Sequence, residues 1–403
     1  MSVIENGKIG LVAAREWGRL GVDALADLVG TSLPYKPGAV LRPRVLARLI
    51  NEHATTDLHA PLYLAAATPR DIPSISSNCQ TLVVDIEHPG DSGLPDSVFV
   101  KLPMQSILTR WFLSVISSWR LETHFFARVA DSVPLRTPIT YAAHARGTRF
   151  FLVQENLRDD PSVTLFTNPE MMVGPSVELA RRCLDAFARL HAAHYDMSRV
   201  EQQRLLPLDY HPFLSPRLGS ISKTLNRVAL APCMKKLPGV IPAEIERAYL
   251  DTIDNWEGLL DYWFSGPLSL LHGDSHLGNF FVSGEQMGML DWQAAHWGRG
   301  IRDVQYFLIM SLPRDLLALH ERELVDYYVE RRAVHGTAID PEQTWQDYRG
   351  LSYHAMMTMV VSIGLGALNE EQDAVMAEIL GRSVAASQRL DYPGWLADFL
   401  AAR

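Results

Sequence analysis

Leu271-His272-Gly273-Asp274-Ser275-His276-Leu277-Gly278-Asn279, followed by Met289-Leu290-Asp291-Trp292, is the stretch whose reading decides the fold. It sets a carboxylate, Asp274, and an amide, Asn279, five positions apart in a loop punctuated by Gly273 and Gly278. A second carboxylate, Asp291, follows the short β-type runs 280–282 and 287–290. Moving a phosphoryl group from a nucleotide to a hydroxyl needs one group that orients and deprotonates the acceptor. It also needs two oxygen donors that hold Mg2+ against the phosphates. Asp274 suits the first role, and Asn279 and Asp291 suit the second.

Each residue also has a plainer explanation. Asp274 reads equally as an exposed loop aspartate capping a turn, and Asn279 as a turn former before an apolar strand. Asp291 is harder to explain away, because a carboxylate among apolar neighbours at a strand end is costly unless it is paired or metal-bound. His272 and His276 form an H-x-x-x-H pair that on a helix could bind zinc. The flanking glycines argue for a loop instead, and no third ligand stands nearby.

The order Asp, four residues, Asn, then a later Asp resembles the protein-kinase layout. The leading His-Gly-Asp, in place of His-Arg-Asp, resembles the aminoglycoside phosphotransferase and choline kinase superfamily. Asp291-Trp292-Gln293, standing where protein kinases have Asp-Phe-Gly, resembles its ecdysteroid-kinase-like branch. This resemblance implies an α+β, bilobal, protein-kinase-like fold. It makes Asp274 the catalytic residue, Asn279 and Asp291 the metal ligands, and ATP and Mg2+ the cofactors. His272 and Asp303 then support the loop rather than take part in the chemistry.

Working outward, 403 residues suffice for two lobes with a sizeable core. Hydrophobic residues at 47% and charged residues at 21% are ordinary for a globular chain. The net charge of −9 argues against a nucleic-acid partner. Cys79, Cys183 and Cys233 are odd in number and widely spaced, which suits a reducing compartment. The start of the chain, with Glu5 near Lys8, reads as no signal peptide. The longest apolar run, 355–368, is too short to span a bilayer. We therefore expect a cytoplasmic protein without a membrane span; its oligomeric state is not legible.

Residues 11–53 read as a helical preface. Short β-type runs follow at Leu62-Tyr63-Leu64, Thr81-Leu82-Val83-Val84 and Val98-Phe99-Val100, the last two separated by the hairpin-like Gly90-Asp91-Ser92-Gly93. A helix is expected over about 110–130, then strands at 139–142 and 149–153. From about 157 helical patterns dominate, including long stretches at 177–195 and 242–263. The division expected is 1–155, a helical preface plus a nucleotide-binding lobe, and 156–403, a helical lobe with the catalytic loop and the acceptor site.

Lys101 closes a β run, where a solvated lysine is the ordinary case. Glu122 changes that balance. The apolar stripe Phe112, Val115, Ile116, Trp119, Phe126, Val129 puts Glu122 on the inward face of its helix, where an unpaired carboxylate is expensive. Lys101 is the expected partner, with Arg120 as the alternative cation. Such a pair positions a lysine on the α- and β-phosphates of ATP. The expected phosphate-binding turn, Pro73 to Asn78, contains no glycine; Ser76, Ser77 and Asn78 are the candidates, and an ordinary polar turn is the competing reading. The adenine is expected against the backbone near Gln154 to Asn156. His191 and His194 share a helix face, and a core-edge position explains them without chemistry.

The resemblance thus implies an ATP-dependent phosphotransferase acting on a hydroxyl of a small metabolite, natural product or antibiotic. The alternative is a catalytically weak, nucleotide-binding regulatory module. A protein kinase ranks third, because no Ala-Pro-Glu segment follows Asp291 and little room is left for an activation segment. The segment Tyr353 to Val361, with Met356, Met357 and Met359, predicts a largely apolar acceptor pocket; a Met-rich core helix is the competing reading.

Overall fold

The computed structural model describes residues 3–58, 61–70, 79–89, 92–207, 219–366 and 370–403. The phosphate-loop candidates Ser76, Ser77 and Asn78, and the hairpin residues Gly90 and Asp91, lie outside these described residues.

The chain opens with α1 (Val3–Leu28), α2 (Pro37–Val40) and α3 (Pro43–Glu52). An antiparallel sheet follows, built from β1 (Ala66–Pro69), β2 (Cys79–Glu87), β3 (Ser97–Pro103), β4 (Thr140–Arg146) and β5 (Arg149–Glu155) in the order β1-β2-β3-β5-β4. Side chains alternate across a strand, so Val98, Val100 and Leu102 of β3 share one face and Lys101 takes the other. The valine face packs on Leu46, Leu49 and Ile50 of α3 to make one core. The opposite face meets α5 (Ser118–Arg128), whose Trp119, Leu121 and Phe125 belong to the larger core shared with the helical lobe.

The second lobe is a helical assembly into which short strands are set. β7 (Ser269–Leu271) pairs with β10 (His296–Gly298), while β6 (Val163–Leu165), β8 (Phe280–Ser283) and β9 (Gln286–Met289) form a small antiparallel sheet. These two ladders hold the segment 272–279 between them. Helix Ile301–Ser311 lies behind it, buried along its whole length. The architecture is a bilobal, protein-kinase-like α+β fold, with a β-rich first lobe and a larger helical second lobe. Among the described residues no helix is long and apolar enough to cross a membrane.

Several expected elements shift. Leu62-Tyr63-Leu64 is not a strand; the first strand starts at Ala66, and Leu62 instead packs into the α3 core. The helix expected over 110–130 is two helices, α4 (Ile107–Val115) and α5. They are separated at Ser117, whose φ of 60° no right-handed helix accommodates. The stretch 242–263 also breaks, at Asn255, into Ala243–Asp254 and Trp256–Trp263. β6 and β10 went unforeseen. Three-residue strands carry too little periodicity to register, and only their partners in the fold make them strands.

Candidate active site

Gly273 is a backbone requirement. Its φ is +85°, and a Cβ there would sit 2.1 Å from the Ala294 carbonyl oxygen, so a side chain is excluded twice over. The turn it permits is held from behind by Asp303, which accepts the His272 amide at 2.7 Å, the Gly273 amide at 2.9 Å and His191 Nε2 at 3.2 Å. Burial works against the charged form of Asp303, but the His191 hydrogen bond and charge, with the Gly273 amide, hold its carboxyl down at about 2. His272 is fully buried. Its Nε2 donates to the Leu290 carbonyl at 2.6 Å, and its Nδ1 accepts the Asp274 amide at 3.3 Å. With burial lowering its basicity, the ring is neutral and pins the Gly273–Asn279 loop to the strand that leads to Asp291. Both residues are loop supports, as expected.

Asp274 keeps its carboxylate 27% exposed in the cleft, where Oδ1 accepts the Tyr306 hydroxyl at 3.2 Å. Asn279 donates from Nδ2 to the Asp274 carbonyl at 2.7 Å and approaches His276 Nε2 at 3.3 Å. Both amide hydrogens are thereby engaged in the assigned orientation, and Oδ1 is the atom with lone pairs to offer. Asp291 sits at φ 55°, ψ 61°, the left-handed region that Asp tolerates better than most residues. What fixes that conformation is the next residue. Trp292 stacks on Phe125 of α5 at 4.0 Å and 8° between planes, and its indole donates to the Met289 carbonyl at 3.2 Å. Gln293 accepts a hydrogen bond from Ser118, also on α5, at 3.1 Å. The helix that carries Glu122 is thus clamped to the segment that carries Asp291.

Lys101 Nζ donates to Glu122 Oε1 at 2.6 Å and to Asp291 Oδ1 at 3.2 Å. Arg120, the alternative cation, pairs with Glu16 of α1 instead. Burial alone would depress the ammonium, but Asp291 and Glu122 raise it far above the usual lysine range. Glu122 is pushed upward by burial, and Asp291 adds to this; Lys101 opposes both. For Asp291, burial raises and Lys101 lowers, and the lysine prevails. One ammonium therefore serves two carboxylates, which leaves a net negative charge that a cation would relieve.

The hinge residues are committed locally. Gln154 donates to Thr140 and Asn156 to Ser97, both from buried positions at the end of β5. Both side chains are thereby engaged within the first lobe. His191 is buried between Tyr328 and Asp303, while His194 sits at the helix edge near Ser132.

Asp274, Asn279 and Asp291 open onto one cavity of about 510 Å³. Its walls include Phe112 of α4, Ile116 just after it, and Met310, Met357, Met359 and Met376 of the helical lobe. Met357 and Met359 reach it, as expected; Met356 faces the core. Among the described residues that line it, Asp274 and Asp291 are the only acidic ones, and none is Lys or Arg. Sequence reading missed two contributors. Tyr306 lies three residues after Asp303, hence on the same helix face, a signal that could have found it. The contribution of α4 from the first lobe had no comparable signal.

A family model described as ecdysteroid kinase-like matches residues 124–335, just over half of the chain and inclusive of Asp274, Asn279 and Asp291. The chain belongs to the ecdysteroid kinase-like family. Among solved structures, this family member is similar to a macrolide 2'-phosphotransferase from Brachybacterium faecium at 16% identity (84% of this chain, 97% of that one, TM-score 0.44). It is similar to a choline kinase from Cryptosporidium parvum at 11% identity (83% and 90%, TM-score 0.45). It is also similar to a GDP complex of aminoglycoside 2'-phosphotransferase-IIIa at 13% identity (80% and 93%, TM-score 0.48). None of these likenesses carries a substrate over to this chain. Comparison with curated proteins finds no match.

Proposed function

We propose that this chain is an ATP-dependent phosphotransferase that moves the γ-phosphate of ATP onto a hydroxyl of a small, uncharged, largely apolar acceptor. The observation that carries the proposal is the meeting of Lys101, Asp291, Asn279 and Asp274 along one cleft, the last three opening into a methionine-rich cavity.

In this reading residues 1–155 hold the nucleotide and 156–403 the acceptor. The adenine lies against the backbone near Gln154 to Asn156. Lys101, oriented by Glu122, meets the α- and β-phosphates. The Asp291 carboxylate and Asn279 Oδ1 are hard oxygen donors suited to Mg2+, which when bound neutralises phosphate charge. Asp274, steadied by Tyr306, accepts the acceptor's hydroxyl proton as its oxygen bonds to the γ-phosphorus and the bond to the β-phosphate oxygen breaks, releasing ADP. General-base help of this kind is worth roughly 10²–10⁴-fold in rate.

The apolar walls support a neutral acceptor. A polycationic one would need more carboxylates than Asp274 and Asp291, both already committed. The test is a screen of neutral and cationic hydroxylated compounds for acceptor-dependent ADP release. Neutral apolar alcohols should be the hits. Asp274→Ala should lower turnover by roughly 10²–10⁴-fold while Mg-ATP affinity by calorimetry stays largely intact. Tight Mg-ATP binding with no acceptor ever raising ADP release would move the reading to a nucleotide-binding regulatory module.

A further inference from the structure

Helix α1 is amphipathic with its charge turned inward. Glu16 is fully buried, where it accepts the Ser114 hydroxyl and pairs with Arg120 at 2.8 Å. Asp23 is buried on the Thr148 amide at 2.8 Å, and Asp27 pairs with Arg149 at 2.6 Å. Arg15 and Arg19 both close on Glu16. The opposite face looks to solvent and is apolar. Leu11, Trp17, Val22, Leu25, Leu28 and Val29 are between 48% and 83% exposed. Together they bare on the order of 800 Å², more than the roughly 300–600 Å² of the largest patch on a typical monomer, and about what one partner covers in a standard interface.

The spacing within that face is a heptad seam. Leu11, Ala14, Gly18, Gly21, Leu25 and Leu28 alternate by three and four residues, and all six are exposed. A seam of this period is what a second helix fills. The glycines point the same way. Glycine weakens a helix relative to alanine, and a Cβ built on Gly18 or Gly21 meets nothing within 4 Å. No contact within the chain requires the missing side chains, whereas close approach by another backbone does.

The seam is also complementary to itself when reversed. About a two-fold axis at the middle of α1, Leu11 meets Leu28 of a second copy, Ala14 meets Leu25, and Gly18 meets Gly21. Trp17 then lies beside Val22 of that copy. A lipid surface fits less well. An interfacial helix inserts large side chains with free cations beside them; here glycine and alanine interrupt the face, Arg15 and Arg19 are tied to Glu16, and the chain carries a net charge of −9.

We infer that this chain forms a two-fold dimer through an antiparallel contact between the α1 helices of two copies. The Ala13 carbonyl of α1 accepts the Trp111 indole of α4 at 3.1 Å, and Trp17 stacks on Trp111 at 5.5 Å. The dimer would therefore brace α4, whose Phe112 walls the cavity described above. The inference does not depend on the phosphoryl-transfer reading.

The test is sedimentation velocity on the full-length protein across a concentration series. The 45.1 kDa chain should run at twice its mass. Gly18→Glu and, separately, Gly21→Lys should each weaken association by about a hundredfold or more, because like charges meet at the axis. The circular dichroism of the folded chain should be retained in both. Mixed together, the two variants should pair again, since the antiparallel register sets position 18 against position 21. If a glycine variant does not fold, Leu25→Glu, at a 65% exposed position, takes its place as the disrupting change. A monomer at every concentration, a dimer indifferent to these substitutions, or a mixture that fails to pair would each overturn the inference. So would wild-type chain that stays monomeric and instead cosediments with neutral or anionic phospholipid vesicles.

Discussion

Asp291 and Asp303 stand twelve residues apart, both packed inside the second lobe, and they are opposites. Asp303 is 2% exposed and every polar demand around it is met, with two backbone amides and a histidine converging on its two oxygens. Asp291 is 28% exposed, adopts a left-handed backbone and shares its one ammonium partner with Glu122. A satisfied buried carboxylate stabilises the fold. A carboxylate that is held in place but left short of partners is available to a ligand. The contrast lies in partner count and strain, since both residues are aspartates near strand ends or helix starts.

The same isosteric change at both positions breaks the comparison most directly. Asp303→Asn would turn an amide toward the His272 and Gly273 N–H groups, leaving donors facing donors. It should cost about 3 kcal/mol or more of unfolding free energy in denaturant titrations. Asp291→Asn should shift stability by less than about 1 kcal/mol yet weaken Mg-ATP by roughly a hundredfold in calorimetric titration. If Asp303→Asn proved neutral to stability while Asp291→Asn unfolded the protein, the roles would be reversed.

Acid sharpens the contrast with a smaller effect. Asp303 sits at about 2 in the fold against an ordinary 3.8. A depressed carboxyl contributes stability that is present above the unfolded value and lost as pH falls through the folded one. The wild-type protein should therefore lose about 2 kcal/mol between roughly pH 4 and pH 2 through this residue alone. Asp303→Asn should flatten that part of the stability–pH curve, and an unchanged acid limb would show that Asp303 is not the group responsible.

Part of this site is legible in the amino-acid order alone. Asp274, Asn279 and Asp291 are close in sequence and separated by glycines and short strands, so local geometry brings them together. Glu122 is legible through helical periodicity, because an inward carboxylate demands a cation. The choice of Lys101 over Arg120 is settled only by α1, which brings Glu16 to Arg120. Leu62 shows the limit from the other side, since a short apolar run marks burial without saying whether a strand or a core loop is buried.

By itself the sequence determined the β-rich first lobe followed by a helical second one, and the acid–amide–acid set in its glycine-punctuated loop, because these rest on neighbours within a few residues and on periodicity. Only the tertiary structure decided that Trp292 would lock α5 to Asp291, and that Tyr306 would reach Asp274. Only the structure, too, set Phe112 of α4, in the first lobe, as a wall of the cavity onto which Asp274 and Asp291 open. Each of those is a contact between segments far apart in the chain, fixed by how volume and charge are shared in the packed interior, and no local pattern encodes which distant partner will be there.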